Sequence, residues 1–197
     1  MVAKLQAASQ NDPYPNPQFY RSVVGSLQHL TFTRPDICYS VNYACQYMKN
    51  PTNFHFQLVK RILRYIHGTI NHGLRLLSNN PMVLYGFSDA DWAACPTTRR
   101  STTGYCTFLG SNYFSWNAKK QPTIARSSAE SEYRALASTA AELTWITFIL
   151  QDIGAYLHEA PMLFCDNISA LHMTINLVFH ARTKHVEIDY HNLFEKR

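Results

Sequence analysis

The chain has 197 residues, 46% hydrophobic and 13% aromatic, enough for one large domain or two small ones with a substantial core. No run of about 18 apolar residues exists to cross a bilayer, and no basic start leads into an apolar stretch, so a transmembrane helix and secretion are not expected. The five cysteines (Cys38, Cys45, Cys95, Cys106, Cys165) hold no CxxC pair, which argues against a zinc site of the usual spacing and against a disulfide framework, and for a reducing compartment.

The net charge of +5 is unevenly distributed. Up to Asn80 there are eight basic residues against two acidic ones; from Pro81 onward there are ten against eleven. A basic front section suits a polyanionic partner, while the second section gathers the carboxylates.

Residues 1–13 are expected to be a flexible N-terminus, and residues 14–72 read as helical. NPQFYRSVVGSLQHL offers Asn16 as N-cap and Pro17 in the first turn, followed by Phe19, Val23, Leu27 and Leu30 at helical spacing. A second start at Thr33 to Asp36 leads into Ile37, Val41 and Ala44. The third helix, PTNFHFQLVKRILRYIHGT, places Leu58, Ile62 and Tyr65 or Ile66 on one face and ends at Gly68, a candidate C-cap. Its Lys60, Arg61 and Arg64 form a basic face.

From residue 73 to 197 the pattern changes. GLRLL, MVLYGFSD, STTGYCTFLG and NYFSWNAKK are β-rich runs separated by Asn, Pro and Gly, as in a strand meander. A long helix is predicted from about Ser127 to Ile153, with Tyr133, Leu136, Ala140, Leu143 and Phe148 on its apolar side. MLFCD reads as a strand, ISALHMTIN as a short helix and KHVEIDYHNLFEKR as a last helix. This order predicts an α/β fold, a mixed sheet with helices on its faces.

Acids fall at the ends of these elements. Asp89 and Asp91 share the strand face of Tyr85 and Phe87, and the two-residue period does not separate them. Glu132 lies in the first turns of the long helix, Asp166 ends the last strand, and Glu187 and Asp189 open the final helix beside His185 and His191. Carboxylates from distant parts of the chain, meeting at strand ends and helix starts, suggest a hard-cation site, and Mg²⁺ prefers such oxygen ligands.

SDADWA, RRSTTGYCTFLG, SWNAKKQPTIARSSAESEYRALA, LFCDNISAL and VFHARTKHVEIDYH, in this order and at these distances, resemble the ribonuclease H domain of copia-type LTR retrotransposon Pol polyproteins. The front section, YRSVVGSLQHLTFTRPDICYSVNYACQYMKNP and FQLVKRILRYIHGTINHGLRL, resembles the thumb- or connection-like segment between the reverse transcriptase and that domain. The resemblance runs from about Tyr14 to Glu195. It implies a ribonuclease H fold, a five-stranded mixed sheet with three antiparallel strands leading. It also implies hydrolysis of the RNA strand of an RNA–DNA hybrid with two Mg²⁺ ions, or Mn²⁺ in their place.

Carried over residue by residue, the metal ligands implied are Asp89, Glu132, Asp166 and Glu187. Glu130 is the weaker neighbour of Glu132, and Asp189 the second choice for the fourth acid. His185 is implied as an aid to water delivery or product release. Asp91 becomes a turn or solvent-facing residue, and Trp92 and Trp116 are expected in the core or at its rim. The hybrid would be held by Arg99, Arg100, Ser101 and Thr102, by Lys119 and Lys120, by Arg126, Ser127 and Ser128, and by Lys60, Arg61 and Arg64. The polymerase portion of a Pol polyprotein is the implied protein partner, in a cytoplasmic virus-like particle or the nucleus. The pattern departs from the family at Asn176–Leu177, where proline is usual, and over Asn192 to Glu195. No polymerase section is present in this sequence, so reverse transcription by this chain alone is not expected. The competing expectation is a relic or nucleic-acid-binding module that keeps the fold without catalysis.

Overall fold

The structure, a computed structural model, describes residues 12–175. The chain divides into two compact units, Met1–Leu74 and Arg75–Arg197. The segment that would carry the predicted last helix, with His185, Glu187, Asp189 and His191, lies outside the described residues.

In the first unit, the Asn16 side chain accepts a hydrogen bond from the Phe19 N–H and opens α1, Pro17–Leu30. A short 3₁₀ turn, Pro35–Ile37, leads into α2, Cys38–Cys45. Thr52 caps α3, Asn53–Gly68, in a capping box closed by the His55 ring. The core is Tyr20, Val24, Leu27, Ile37, Val41, Ala44, Val59 and Ile62. The buried stripe of α1 is thus one residue over from the predicted Phe19 and Val23. Tyr20 sets it, being fully buried while its hydroxyl donates to the Ala44 carbonyl at 2.9 Å. Likewise Val59, not Leu58, is the buried residue at that turn of α3. Gly68 is the last helical residue, and the C-cap falls on Thr69. Arg34, nearly buried, ties the turn before the 3₁₀ segment to the end of α3. It grips both oxygens of Asp36 and donates to the Thr69 carbonyl and hydroxyl. This pair holds the Asp36 carboxyl below its ordinary range.

The second unit is built on β1 (Leu84–Asp91), β2 (Thr102–Leu109), β3 (Asn112–Lys120) and β4 (Met162–Phe164). Among the described residues the sheet has four strands in the order β3-β2-β1-β4. The three leading strands are antiparallel and β4 runs parallel to β1. This is the mixed sheet expected, with four strands in place of five. The predicted GLRLL strand is irregular instead: Leu77 pairs its backbone with the Asn112 side chain, and Leu76 is exposed. The long helix α4, Ser128–Asp152, covers one face of the sheet, and α5, Ile168–Ile175, packs beside it through Tyr133, Leu136 and Ala170. The far end of α4 is buried through Leu143, Ile146 and Leu150 against Leu84; Phe148, expected on that side, is exposed. No helix among the described residues is long and apolar enough to cross a membrane.

The two faces of β1 are unlike. Leu84, Gly86, Ser88 and Ala90 are buried under α4, whereas Tyr85, Phe87, Asp89 and Asp91 lie on the opposite, more open face. There Phe87 stacks on Phe164 and Tyr85 on Phe108. The aromatic side of this strand is therefore its half-covered side, and small residues form the tightly packed one. A Cβ at Gly86 would stand 3.2 Å from the Thr139 methyl, and Thr139 is fully buried. Gly86→Val is expected to destabilise the chain by about 2–3 kcal/mol through overpacking. Gly104→Ala, whose new Cβ meets only the Asp89 carbonyl at 3.9 Å, serves as the near-neutral control in urea denaturation.

Candidate active site

β1 and β4 are adjacent and parallel, with Phe87 opposite Phe164. Two residues further along each strand's path stand Asp89 and Asp166, so the two acids leave the sheet at the same end. Together with Phe87, Ser88, Phe164 and Cys165 they line a cleft of about 380 Å³. Both aspartates are exposed at its mouth. Asn167, immediately after, turns the chain into α5 by accepting from the Ala170 N–H at 2.9 Å.

Glu132 approaches Cys165 and Asp166 from α4. Ser127 caps that helix by accepting from the Glu130 N–H, and Glu132 follows in its first turns. Glu132 is only 7% exposed, and its Oε2 has no hydrogen-bond partner. One ligand atom each from Glu132, Cys165 and Asp166 lie within 4.8 Å of one another. Burial pushes the Glu132 carboxyl up to about 7; a hydrogen bond from the Ala90 backbone opposes this, while the Asp89 and Asp166 charges add to it.

Glu130, two residues earlier, is just as buried but differently employed. It pairs with Arg134 at 2.7 Å and accepts from the Arg126 N–H at 2.8 Å. That internal neutralisation separates the two glutamates: Glu130 fixes the helix start, and Glu132 is left facing the aspartates. Asp91 is exposed at the last position of β1, one strand repeat beyond Asp89. Trp92 sits at the rim, half exposed, with its ring N–H on the Ala125 carbonyl. Trp116 is half-buried on β3.

The residues expected to hold a nucleic acid are not equivalent. Arg99 and Arg100 are exposed on the β1–β2 turn, where Arg99 takes a left-handed φ of 54°. Ser101 is fully buried, its hydroxyl accepting from the Ala93 N–H, which removes it from the candidate contacts. Thr102 is half-buried at the start of β2. Lys119, Lys120 and Arg126 come together in a second cleft of about 700 Å³, where Arg134 and Tyr105 join them. Sequence reasoning missed Arg134, because a helical Arg four residues after a Glu reads as a surface pair. Lys120 is held at 2.8 Å from the buried Cys95 thiol. Burial raises that thiol, but hydrogen bonds from Lys120 and Thr98 outweigh it and leave the group at about 6. Lys120 is thus engaged within the fold and less available than Lys119. Ser127 and Ser128 are exposed at the start of α4, the first as its cap. In the first unit Lys60, Arg61 and Arg64 are exposed on α3, and Arg61 lines a groove of about 710 Å³ with Tyr39, Tyr43 and Tyr65. Cys165, beside the acids, was also missed; its adjacency to Asp166 in LFCDN was the available signal.

A mixed four-stranded sheet with helices packed on it, compatible with a ribonuclease H-like layout, defines the second unit as an α/β domain with carboxyl groups near the ends of its parallel pair. The chain is 48% identical over 177 residues to the retrovirus-related Pol polyprotein from transposon RE2 of Arabidopsis thaliana, covering 90% of this chain and 12% of that protein. It is 38% identical over 173 residues to the Pol polyprotein from transposon TNT 1-94 of Nicotiana tabacum, covering 87% and 13%. It is 58% identical over 142 residues to the uncharacterized mitochondrial protein AtMg00810 of Arabidopsis thaliana, covering 72% and 59%. The chain belongs to the family of copia-type retrotransposon Pol polyproteins and spans 12–13% of the length of the polyproteins it matches. No family model and no solved structure matches it.

The Glu132 carboxyl makes stability depend on pH in a definite direction. Its folded value of about 7 lies above the ordinary 4.5. Below 4.5 both folded and unfolded states are protonated and the group contributes nothing; between 4.5 and about 7 the unfolded state ionises while the folded state keeps its proton, so stability falls as pH rises, and above 7 the loss is complete. In metal-free buffer Glu132→Gln is therefore expected to gain on the wild type by up to about 3 kcal/mol between pH 4.5 and pH 8, at ~1.4 kcal/mol per unit. Urea denaturation of both proteins at the two pH values, with chelator present, measures it.

Proposed function

We propose that this chain hydrolyses the RNA strand of an RNA–DNA hybrid at the cluster of Asp89, Glu132 and Asp166. The observation that carries the reading is the buried Glu132 carboxyl, close to Asp166 and within reach of the Asp89 charge, with one oxygen unpartnered and no ion pair among the described residues. Three carboxyl groups with an unfilled buried acceptor fit a hard divalent cation, whose charge and oxygen preference match that donor set. Asp89, Glu132 and Asp166 would hold Mg²⁺, as two ions or with Mn²⁺ in its place, and Glu187 completes the set in this reading with Asp189 as its substitute. Bound there, the ions would supply the positive charge that polarises a water and offsets the charge growing on the leaving 3′-oxygen.

The chain's own residues do the rest. Asp89 and Asp166, exposed at the cleft mouth, remain open to an incoming phosphodiester. Glu132, which burial keeps protonated up to about pH 7, would give up that proton more readily beside a bound cation. Phe87 and Phe164 wall the cleft on the open face of the sheet. His185 is assigned to moving water or product. Cleavage anywhere along a hybrid requires recognition through backbone and 2′-hydroxyl groups, not base edges. Arg99, Arg100, Lys119 and Arg126 on the second unit, and Lys60, Arg61 and Arg64 on the first, supply cations for that purpose. The polymerase portion of a Pol polyprotein is the protein partner in this reading.

The test is cleavage of a labelled RNA–DNA hybrid by the purified chain. Activity is expected with Mg²⁺ and none with EDTA. Asp89→Asn is expected to lose ~100-fold or more, beyond the effect of losing a ligand's supporting partner. Asp91→Asn should stay within about threefold of the wild type. Metal-independent cleavage, or full activity in Asp89→Asn, overturns the proposal. Binding that falls steeply with salt but yields no product points instead to a nucleic-acid-binding module.

A further inference from the structure

We infer that Cys165 makes one side of the acidic cluster a binding position for a thiophilic divalent cation of the Zn²⁺ class, held by Glu132, Cys165 and Asp166. The three supply one carboxylate oxygen, one sulfur and a second carboxylate oxygen within 4.8 Å of one another. A tetrahedral ion with bonds of about 2.0–2.3 Å needs its ligands about 3.5 Å apart, so modest side-chain adjustment closes the set. The Glu132 Oε2 is the independent sign that something belongs there, since an oxygen on a nearly buried side chain is left without a hydrogen bond. The sulfur is held in place: Cys165 directly follows β4, and its Sγ lies 3.4 Å from the Asn167 N–H.

The ligand chemistry separates this position from the proposed Mg²⁺ site. Mg²⁺ requires six oxygen-type partners and gains little from sulfur, whereas Zn²⁺ accepts mixed oxygen and sulfur ligands with three protein donors and an open fourth place. Asp89 belongs to the oxygen-only set and Cys165 to the thiophilic one, and Glu132 and Asp166 are common to both. Thiophilic and hard cations therefore exclude each other. That exclusion rests on the functional reading above; the thiophilic position rests on the geometry alone.

Cadmium is the probe, because a cadmium–sulfur bond carries its own charge-transfer absorption in the ultraviolet. Titration of the whole chain with Cd²⁺ is expected to raise that band, and Cys95→Ser, which alters the other unusual thiol, should leave it in place. Cys165→Ser is expected to abolish it. Glu132→Gln, which keeps the thiol, should shift half-saturation to ~tenfold higher Cd²⁺ or more. Excess Mg²⁺ should raise the half-saturation point in the wild type. A band that survives in Cys165→Ser, disappears in Cys95→Ser, or titrates identically in Glu132→Gln overturns the assignment. Indifference to Mg²⁺ overturns the sharing of ligands. The readout needs no hydrolysis: a chain that cleaves no hybrid but shows the band loses only the nuclease reading, and one that cleaves without the band loses only this inference.

Discussion

The close approach of α4 to β1 is the constraint from which the site follows. A helix can lie this near a strand only where the strand presents little side chain, and β1 offers Gly86, Ser88 and Ala90 to it. With Thr139 and Leu143 packed at Gly86, the first turns of α4 are carried down to the end of β1, where the Ala90 backbone hydrogen-bonds Glu132. A larger residue at Gly86 would tilt or lift the helix, and Glu132 would leave the aspartates without any change in the acids themselves. The same packing keeps the aromatic residues of β1 off the tightly filled face. Tyr85 and Phe87 turn to the open side with Asp89, so apolar walls and carboxylates share one surface.

Two buried glutamates in one helical turn show how differently the chain treats like groups. Glu130 meets Arg134 and the Arg126 N–H, so its charge is matched within the fold. Glu132 has two acids for neighbours and no ion pair among the described residues, and its proton is retained to about neutrality. Removing a charge from water without a partner is costly, and the fold removes much of that cost by protonation. In the proposed reading, a cation beside Asp89 and Asp166 would remove the reason for that proton and favour the ionised carboxylate. A purely structural carboxyl has no need of that arrangement, and Glu130 is the demonstration beside it.

Much of this was legible in the sequence, and the misses have common causes. The order of helices and strands could be read because periodicity changes sharply after Gly73 and because Asn16, Thr52 and Ser127 mark helix starts. Which face of an amphipathic element is inside was harder. Phe19, Leu58 and Phe148 looked like core residues by size and spacing, yet Tyr20, Val59, Ile146 and Leu150 are the buried ones. Hydrophobicity fixes a stripe to within one residue; the neighbouring elements choose between candidates. On β1 size and burial part company: the bulky alternate residues lie on the open face and the small ones are buried. Close helix–strand contact is a tertiary preference that strand periodicity cannot express. Among the acids, spacing left Asp89 and Asp91 equal. The contrast between Glu130 and Glu132 needed the partners of each, and those come from three dimensions.

The basic residues around the second unit follow a related logic of prior fixation. The β1–β2 loop is not a slack hairpin: Arg99 donates its N–H to the Cys95 carbonyl, Cys95 donates its own to the Arg100 carbonyl, and the Ser101 hydroxyl accepts from Ala93. The Lys120 ammonium at the Cys95 sulfur ties the end of β3 to this loop. Ser101 and Lys120, read from the sequence as substrate contacts, belong to the frame that presents Arg99 and Arg100. A loop ordered before binding loses less conformational freedom when it meets a partner. For a partner recognised by its charged backbone, whose sequence varies, fixed cations are more useful than flexible ones. In the proposed reading, affinity for a hybrid would then depend on where the charges stand, and the frame would set that position whatever the sequence of the hybrid.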